Sequence, residues 1–145
     1  MRIGKLKVLL FLFIVATSEK TLAQNPENWT SKQLMQPAEL AKILLSGKQL
    51  PIILSVGPGA MLPHSREIGT VKDKENLDKL KKELNTIPKK TKIVVYCGCC
   101  PFDHCPNIRP AIQALKDMKF INYRLLNLEH NIKTDWISKG YPTSE

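Results

Sequence analysis

Residues 92–109 read KIVVYCGCCPFDHCPNIR, and the fold turns on this stretch. Its first five residues, KIVVY, are β-branched and apolar on both faces, as a central strand of a parallel sheet must be when helices cover it on either side. A cysteine-rich loop follows. Asn107 then stands where it can cap a new helix running to about residue 118, with Pro110 still inside the first turn. Strand, loop and helix in that order make one unit of an α/β sheet.

The same alternation continues in both directions. Upstream, residues 74–87 place Leu77, Leu80, Leu84 and Ile87 at helical spacing, with Asp73 able to cap and Pro88 ending the run. Residues 52–56 (IILSV) lie between Pro51 and the turn Gly57-Pro58-Gly59 and read as a buried strand. Residues 68–71 suggest a shorter strand. Residues 37–46 read as a helix with Pro37 in its first turn and Gly47 as its stop. Residues 25–36 are polar and weakly patterned around Trp29. Downstream, residues 123–128 (YRLLNL) are a strand, and a short helix over 134–138 carries Trp136 and ends at Gly140. These elements predict a single α/β domain over residues 34–142, with a mostly parallel central sheet and helices on both faces.

The 145 residues are one domain's worth of chain. The first of them read differently. Arg2, Lys5 and Lys7 precede an apolar run at residues 8–16 (VLLFLFIVA), and Thr21-Leu22-Ala23 supplies a cleavage signal. That order is the pattern of a secretory signal peptide over residues 1–23. The run is too short to span a bilayer, which takes about 20 apolar residues. An exported protein, periplasmic or secreted, is therefore expected, with residues 24–33 as an N-terminal extension and no membrane span in the mature chain.

The formal net charge is +9. Between residues 72 and 92 its lysines are interleaved with Asp73, Glu75, Asp78 and Glu83, which describes a solvated helix surface. A nucleic-acid reader needs a coherent basic face instead, so nucleic acid is not an expected partner. The positive excess favours small anionic substrates through its general field.

All four cysteines fall within nine residues, Cys97-Gly98-Cys99-Cys100-Pro101-Phe102-Asp103-His104-Cys105. A disulfide framework would spread its cysteines to close long loops. Here sulfur is concentrated beyond the carboxyl end of a central strand, where open α/β sheets bind ligands. Loop amides and a helix N-terminus favour a thiolate at Cys97, the nucleophilic form. Holding most of that thiol ionised near neutrality takes roughly 2.7 kcal/mol. A helix dipole supplies about 0.3–1 kcal/mol, so loop amides and Arg109 are required for the balance. Asp103 and His104 are candidates to tune the thiolate or move a proton. A loop merely tied by one or two disulfides is the bland alternative.

KIVVYC (92–97), Arg109-Pro110-Ala111 entering a helix, KFINYRLL (119–126), Trp136 and Gly140-Tyr141-Pro142 resemble the second half of a rhodanese domain. PIILSV (51–56) resembles the first core strand of that domain. The resemblance implies a sulfurtransferase in which Cys97 carries a persulfide and Arg109 binds the anionic donor. It implies a small anionic sulfur donor such as thiosulfate, a thiol acceptor and no resident cofactor. Two features depart from the family pattern. Ser55-Val56-Gly57 stands where an Asp-Val-Arg-like triplet is usual, and the loop from Cys97 to Arg109 is enlarged. Cys99, Cys100 and Cys105 are then accessory or resolving thiols. Two other chemistries use the same residues: a zinc or copper site on Cys97, Cys100, His104 and Cys105, and dithiol redox cycling, for which Cys97 with Cys100 or Cys105 is the easier pair.

Overall fold

A computed structural model describes residues 29–144. The leader expected over residues 1–23 lies outside the described residues. Five parallel strands form one sheet, in the order β1 (Leu34–Met35), β5 (Tyr123–Leu126), β4 (Ile93–Tyr96), β2 (Ile52–Ser55) and β3 (Ser65–Glu67). Among the described residues four helices accompany it: α1 (Pro37–Ser46), α2 (Lys74–Asn85), α3 (Ile108–Asp117) and α4 (Ile132–Asp135). The expected α/β class stands, and the sheet is wholly parallel.

Period-two side-chain alternation sorts the core into two layers. Leu54, Ile93, Val95 and Leu125 pack with Leu80 and Leu84 of α2 and Ile112 and Leu115 of α3. Ile53, Val94, Tyr96 and Leu126 pack on the other side with Leu40 and Leu44 of α1 and with Ile132 and Trp136. Helices therefore cover both faces, and each buried leucine contributes about 1.5–3 kcal/mol of apolar transfer. Trp136 is a core residue, fully buried, with its indole N–H donating to the Pro142 carbonyl at 2.7 Å.

Several local expectations change. Strand β1 arises inside the stretch that reads as unpatterned. Two residues are too short to show a period, and β1 is specified by pairing, with Leu125 N–H donating to Gln33 O and Asn127 N–H to Met35 O, both at 2.8 Å. The strand expected at residues 68–71 lies instead at Ser65–Glu67. As an edge strand it carries polar, largely exposed residues, while Ile68 and Val71 are core side chains of the connection that follows. The helix expected over residues 134–138 starts at Ile132, where Asn131 accepts from the Thr134 N–H at 2.9 Å. It breaks at Trp136 before a 3₁₀ turn, Ile137–Lys139. Asp73 occupies the N-cap position of α2 but makes no side-chain cap bond.

Candidate active site

Strand parity aims Cys97. Ile93 and Val95 face the α2/α3 layer, and Cys97, next in that alternation, is buried in the same layer. The register aligns Ser55 with Tyr96, and the Val56 N–H donates to the Tyr96 carbonyl at 2.9 Å, so the chain after β2 runs beside the chain after β4. Gly57 thus arrives against the thiol. A Cβ added there would stand 2.3 Å from Cys97 Sγ and 2.7 Å from Asn107 Nδ2, so only glycine fits without displacing them. The departure Ser55-Val56-Gly57 has a steric cause: the residue after Val56 must yield its side-chain space to the sulfur.

Backbone contacts fix the loop. The Gly98 N–H donates to the Pro58 carbonyl at 3.1 Å, and its own carbonyl accepts from Ile132 at 2.9 Å. The Phe102 N–H donates to the Leu128 carbonyl at 3.0 Å. Gly59 and Gly98 meet backbone to backbone, where a Cβ on Gly59 would come within 2.7 Å of the Gly98 Cα. The extra residues between Cys97 and Arg109 are therefore anchored at the loop's start and middle.

This anchoring gathers the sulfurs. The four Sγ atoms of Cys97, Cys99, Cys100 and Cys105 all lie within 4.8 Å of one another. Cys97 Sγ is 3.5 Å from Cys99 Sγ, which is 3.0 Å from Cys100 Sγ. Cys97 and Cys105 are buried, Cys100 is half-buried and Cys99 is exposed. Such a set of soft donors can hold a thiophilic metal ion. Cys99 fills the place in this group that the sequence suggested for His104. His104 instead points to solvent, its ring paired with Asp103 at 2.8 Å, and neither residue belongs to the sulfur group.

The surroundings favour one thiolate. Cys97 is held down to about 5 by hydrogen bonding from the Cys105 thiol, with help from the Cys99 N–H, the Asn107 amide and the Cys99 thiol, against the opposing effect of burial. The partners move the other way. Cys105 is pushed up, first because its proton serves the Cys97 sulfur and then by burial. Burial, followed by hydrogen bonding to Cys100 and Cys97, raises Cys99 to about 12. The surroundings thus favour the charged sulfur at Cys97 and disfavour it at Cys99 and Cys105.

Asn107 is the site residue that sequence reading missed. It stands at the N-cap of α3, but its backbone is already helical and its side chain does not cap. Buried, it donates from Nδ2 to Cys97 Sγ at 3.5 Å and accepts the Lys72 N–H on Oδ1 at 3.0 Å. A buried asparagine needs partners for both ends of its amide, and here both come from distant parts of the chain, which no local sequence signal reveals. Arg109, in the first turn of α3, is half-buried and makes no hydrogen bond or ion pair among the described residues. Ser55 serves the backbone, its hydroxyl donating to Gly57 O at 3.3 Å.

No protein-family model matches the chain, and a comparison with curated proteins finds no match. Solved structures do match. The Alr3790 protein of Anabaena sp. superposes with a TM-score of 0.55 at 17% identity, over 76% of this chain and 90% of that one. A full-length protein from Lactobacillus plantarum gives 0.58 at 10% identity, over 77% and 87%. A rhodanese-related protein from Thermoplasma volcanium aligns at 0.49 with 16% identity, over 77% and 97%. Identities this low speak for the fold alone. The α/β fold of the Anabaena and Lactobacillus plantarum structures is shared by this parallel sheet ordered β1-β5-β4-β2-β3, which here carries a thiol-bearing loop between its central strand and the next helix.

Proposed function

We propose that this protein is an exported sulfane-sulfur carrier that holds a persulfide on Cys97. The observation that supports the reading best is a buried sulfur at the carboxyl end of a central strand, receiving the Asn107 amide at 3.5 Å with three further thiols around it. A thiolate so placed attacks the outer sulfur of thiosulfate. The S–S bond breaks, sulfite leaves with the electron pair, and the outer sulfur remains on Cys97 as a persulfide. A thiol or cyanide then attacks that outer sulfur and returns the Cys97 thiolate. Arg109 and the positive field of the domain draw in the anionic donor.

Mass spectrometry under non-reducing conditions tests the reading. Thiosulfate is expected to add one sulfur at Cys97, removable by cyanide, and Cys97→Ser is expected to lose more than about 100-fold in thiocyanate formation while remaining folded. Full turnover by that variant would refute the assignment. The intact mass of the exported chain is expected to begin at Gln24.

A second reading rests on the four Sγ atoms lying within 4.8 Å of one another. They suit zinc or Cu(I). The same mass measurement under native conditions decides it: one retained metal ion per chain, lost when any two cysteines are replaced, would favour a metal site over the persulfide.

A further inference from the structure

The persulfide reading leaves three thiols without a task, and their positions differ. Cys105 is buried with the core of the α2/α3 layer. Cys99 is the exposed member, with its Sγ 3.5 Å from Cys97 Sγ. Cys100 approaches Cys99 more closely, at 3.0 Å. Yet Cα atoms of adjacent residues sit about 3.8 Å apart, below the roughly 4.4–6.8 Å that a disulfide spans. A vicinal bond between Cys99 and Cys100 is therefore disfavoured. Residues separated by one position can reach the disulfide range, and between Cys97 and Cys99 that position is Gly98, pinned through both its N–H and its carbonyl. Cys99 is thus a solvent-facing thiol held beside the buried sulfur by a fixed spacer.

We infer that Cys99 resolves the Cys97 persulfide, so that the protein releases the carried sulfur as hydrogen sulfide and is left with a Cys97–Cys99 disulfide. The inference rests on the persulfide reading and adds the fate of the sulfur. In the resolving step the Cys99 sulfur attacks the inner sulfur, Cys97 Sγ. The bond from Cys97 Sγ to the outer sulfur breaks, and the outer sulfur leaves with the bonding pair. It takes the proton given up by Cys99 and departs as hydrosulfide, which solvent converts to hydrogen sulfide. Cys97 and Cys99 together lose two electrons as their disulfide forms, the carried sulfane sulfur gains the same two, and no external oxidant is needed. Exposure of Cys99 gives the sulfide an exit and presents the disulfide's outer sulfur to a dithiol reductant, which restores both thiols. The site is then a sulfane-sulfur reductase rather than a simple carrier.

The test is a single turnover of the full mature protein with thiosulfate, without cyanide or reductant, reading released sulfide, free thiols and mass. Wild type is expected to release about one sulfide per chain, lose two free thiols and retain no added sulfur. C99S is expected to keep one added sulfur at Cys97 and release less than about a tenth of the sulfide, with cyanide still able to discharge it. C105S is expected to release sulfide, because the buried thiol is not the resolving one. Wild type that keeps its persulfide and its thiols overturns the inference while leaving the persulfide intact. So does C99S releasing sulfide like wild type. No sulfur uptake and no sulfide from any form overturns the persulfide reading and the inference with it.

Discussion

Gly57→Ala is expected to destroy the reactivity of Cys97 and to destabilise the fold together. The added methyl has no free direction: it would meet Cys97 Sγ at 2.3 Å and the Asn107 amide at 2.7 Å, distances at which something must shift. Both neighbours are buried, Cys97 on the first residue after β4 and Asn107 at the start of α3. Overpacking of this kind costs about 1–3 kcal/mol. It also separates the thiol from its amide donor, so sulfur loading from thiosulfate should fall more than about 100-fold. Gly47→Ala is the control. Gly47 has open space around its Cα but a φ of 63°, so alanine there suffers only the left-handed backbone cost of about 1–2 kcal/mol. Both variants should therefore lose stability in a urea or thermal titration, while Gly57→Ala alone loses Cys97 alkylation. Wild-type alkylation in Gly57→Ala would show that the sulfur does not sit where Gly57 makes room for it.

Gly57 also marks where the sequence was legible and where it was not. The strands with apolar residues on both faces, Ile52–Ser55 and Ile93–Tyr96, were readable because central parallel strands need them, and α2 because its leucines keep the helical period. Cys97 was found for the same reason, as the first residue past a central strand. The edges were not readable. Strand β1 has two apolar residues, too few to show a period, and the three residues of β3 are polar and largely exposed, so both are specified by hydrogen bonds to a neighbouring strand. The site's second half was hidden similarly. Asn107 looked like a helix cap because a local rule covers that position, whereas its real partners are Cys97, ten residues back, and Lys72, thirty-five back. His104 looked like a metal ligand by composition alone. The 3₁₀ turn Phe102–His104 instead leaves it exposed beside Asp103, and the loop anchors bring Cys99 into the sulfur group. Long-range placement, rather than residue type, separated these cases.

Asn107→Asp is expected to raise the titration of Cys97 by at least about one pH unit, equivalent to ~1.4 kcal/mol. In the wild type, alkylation of Cys97 should inflect near pH 5 instead of near the ordinary thiol value of 9. The substitution keeps an oxygen able to accept the Lys72 N–H, so the side chain stays in place. It removes the N–H that donates to Cys97 Sγ and sets a carboxylate beside the thiolate, and both changes disfavour the charged sulfur. The same titration has a stability consequence. Between about pH 5 and 9 the unfolded chain holds a proton at Cys97 that the folded chain has released, so folding stability rises with pH across that window and is lost as pH falls through 5. Above 9 the sign reverses, because Cys99 and Cys105 hold their protons longer when folded than when unfolded. Chemical unfolding at several pH values, taken as wild type minus Cys97→Ser, should therefore climb from pH 5 towards 9 and then decline. Asn107→Asp should narrow the climb from its acidic end, since the folded thiol then titrates higher. An alkylation inflection in Asn107→Asp within about 0.3 pH units of wild type would mean that the amide is no donor to this sulfur, and the thiolate would have to be explained by Cys105 and the loop N–H alone.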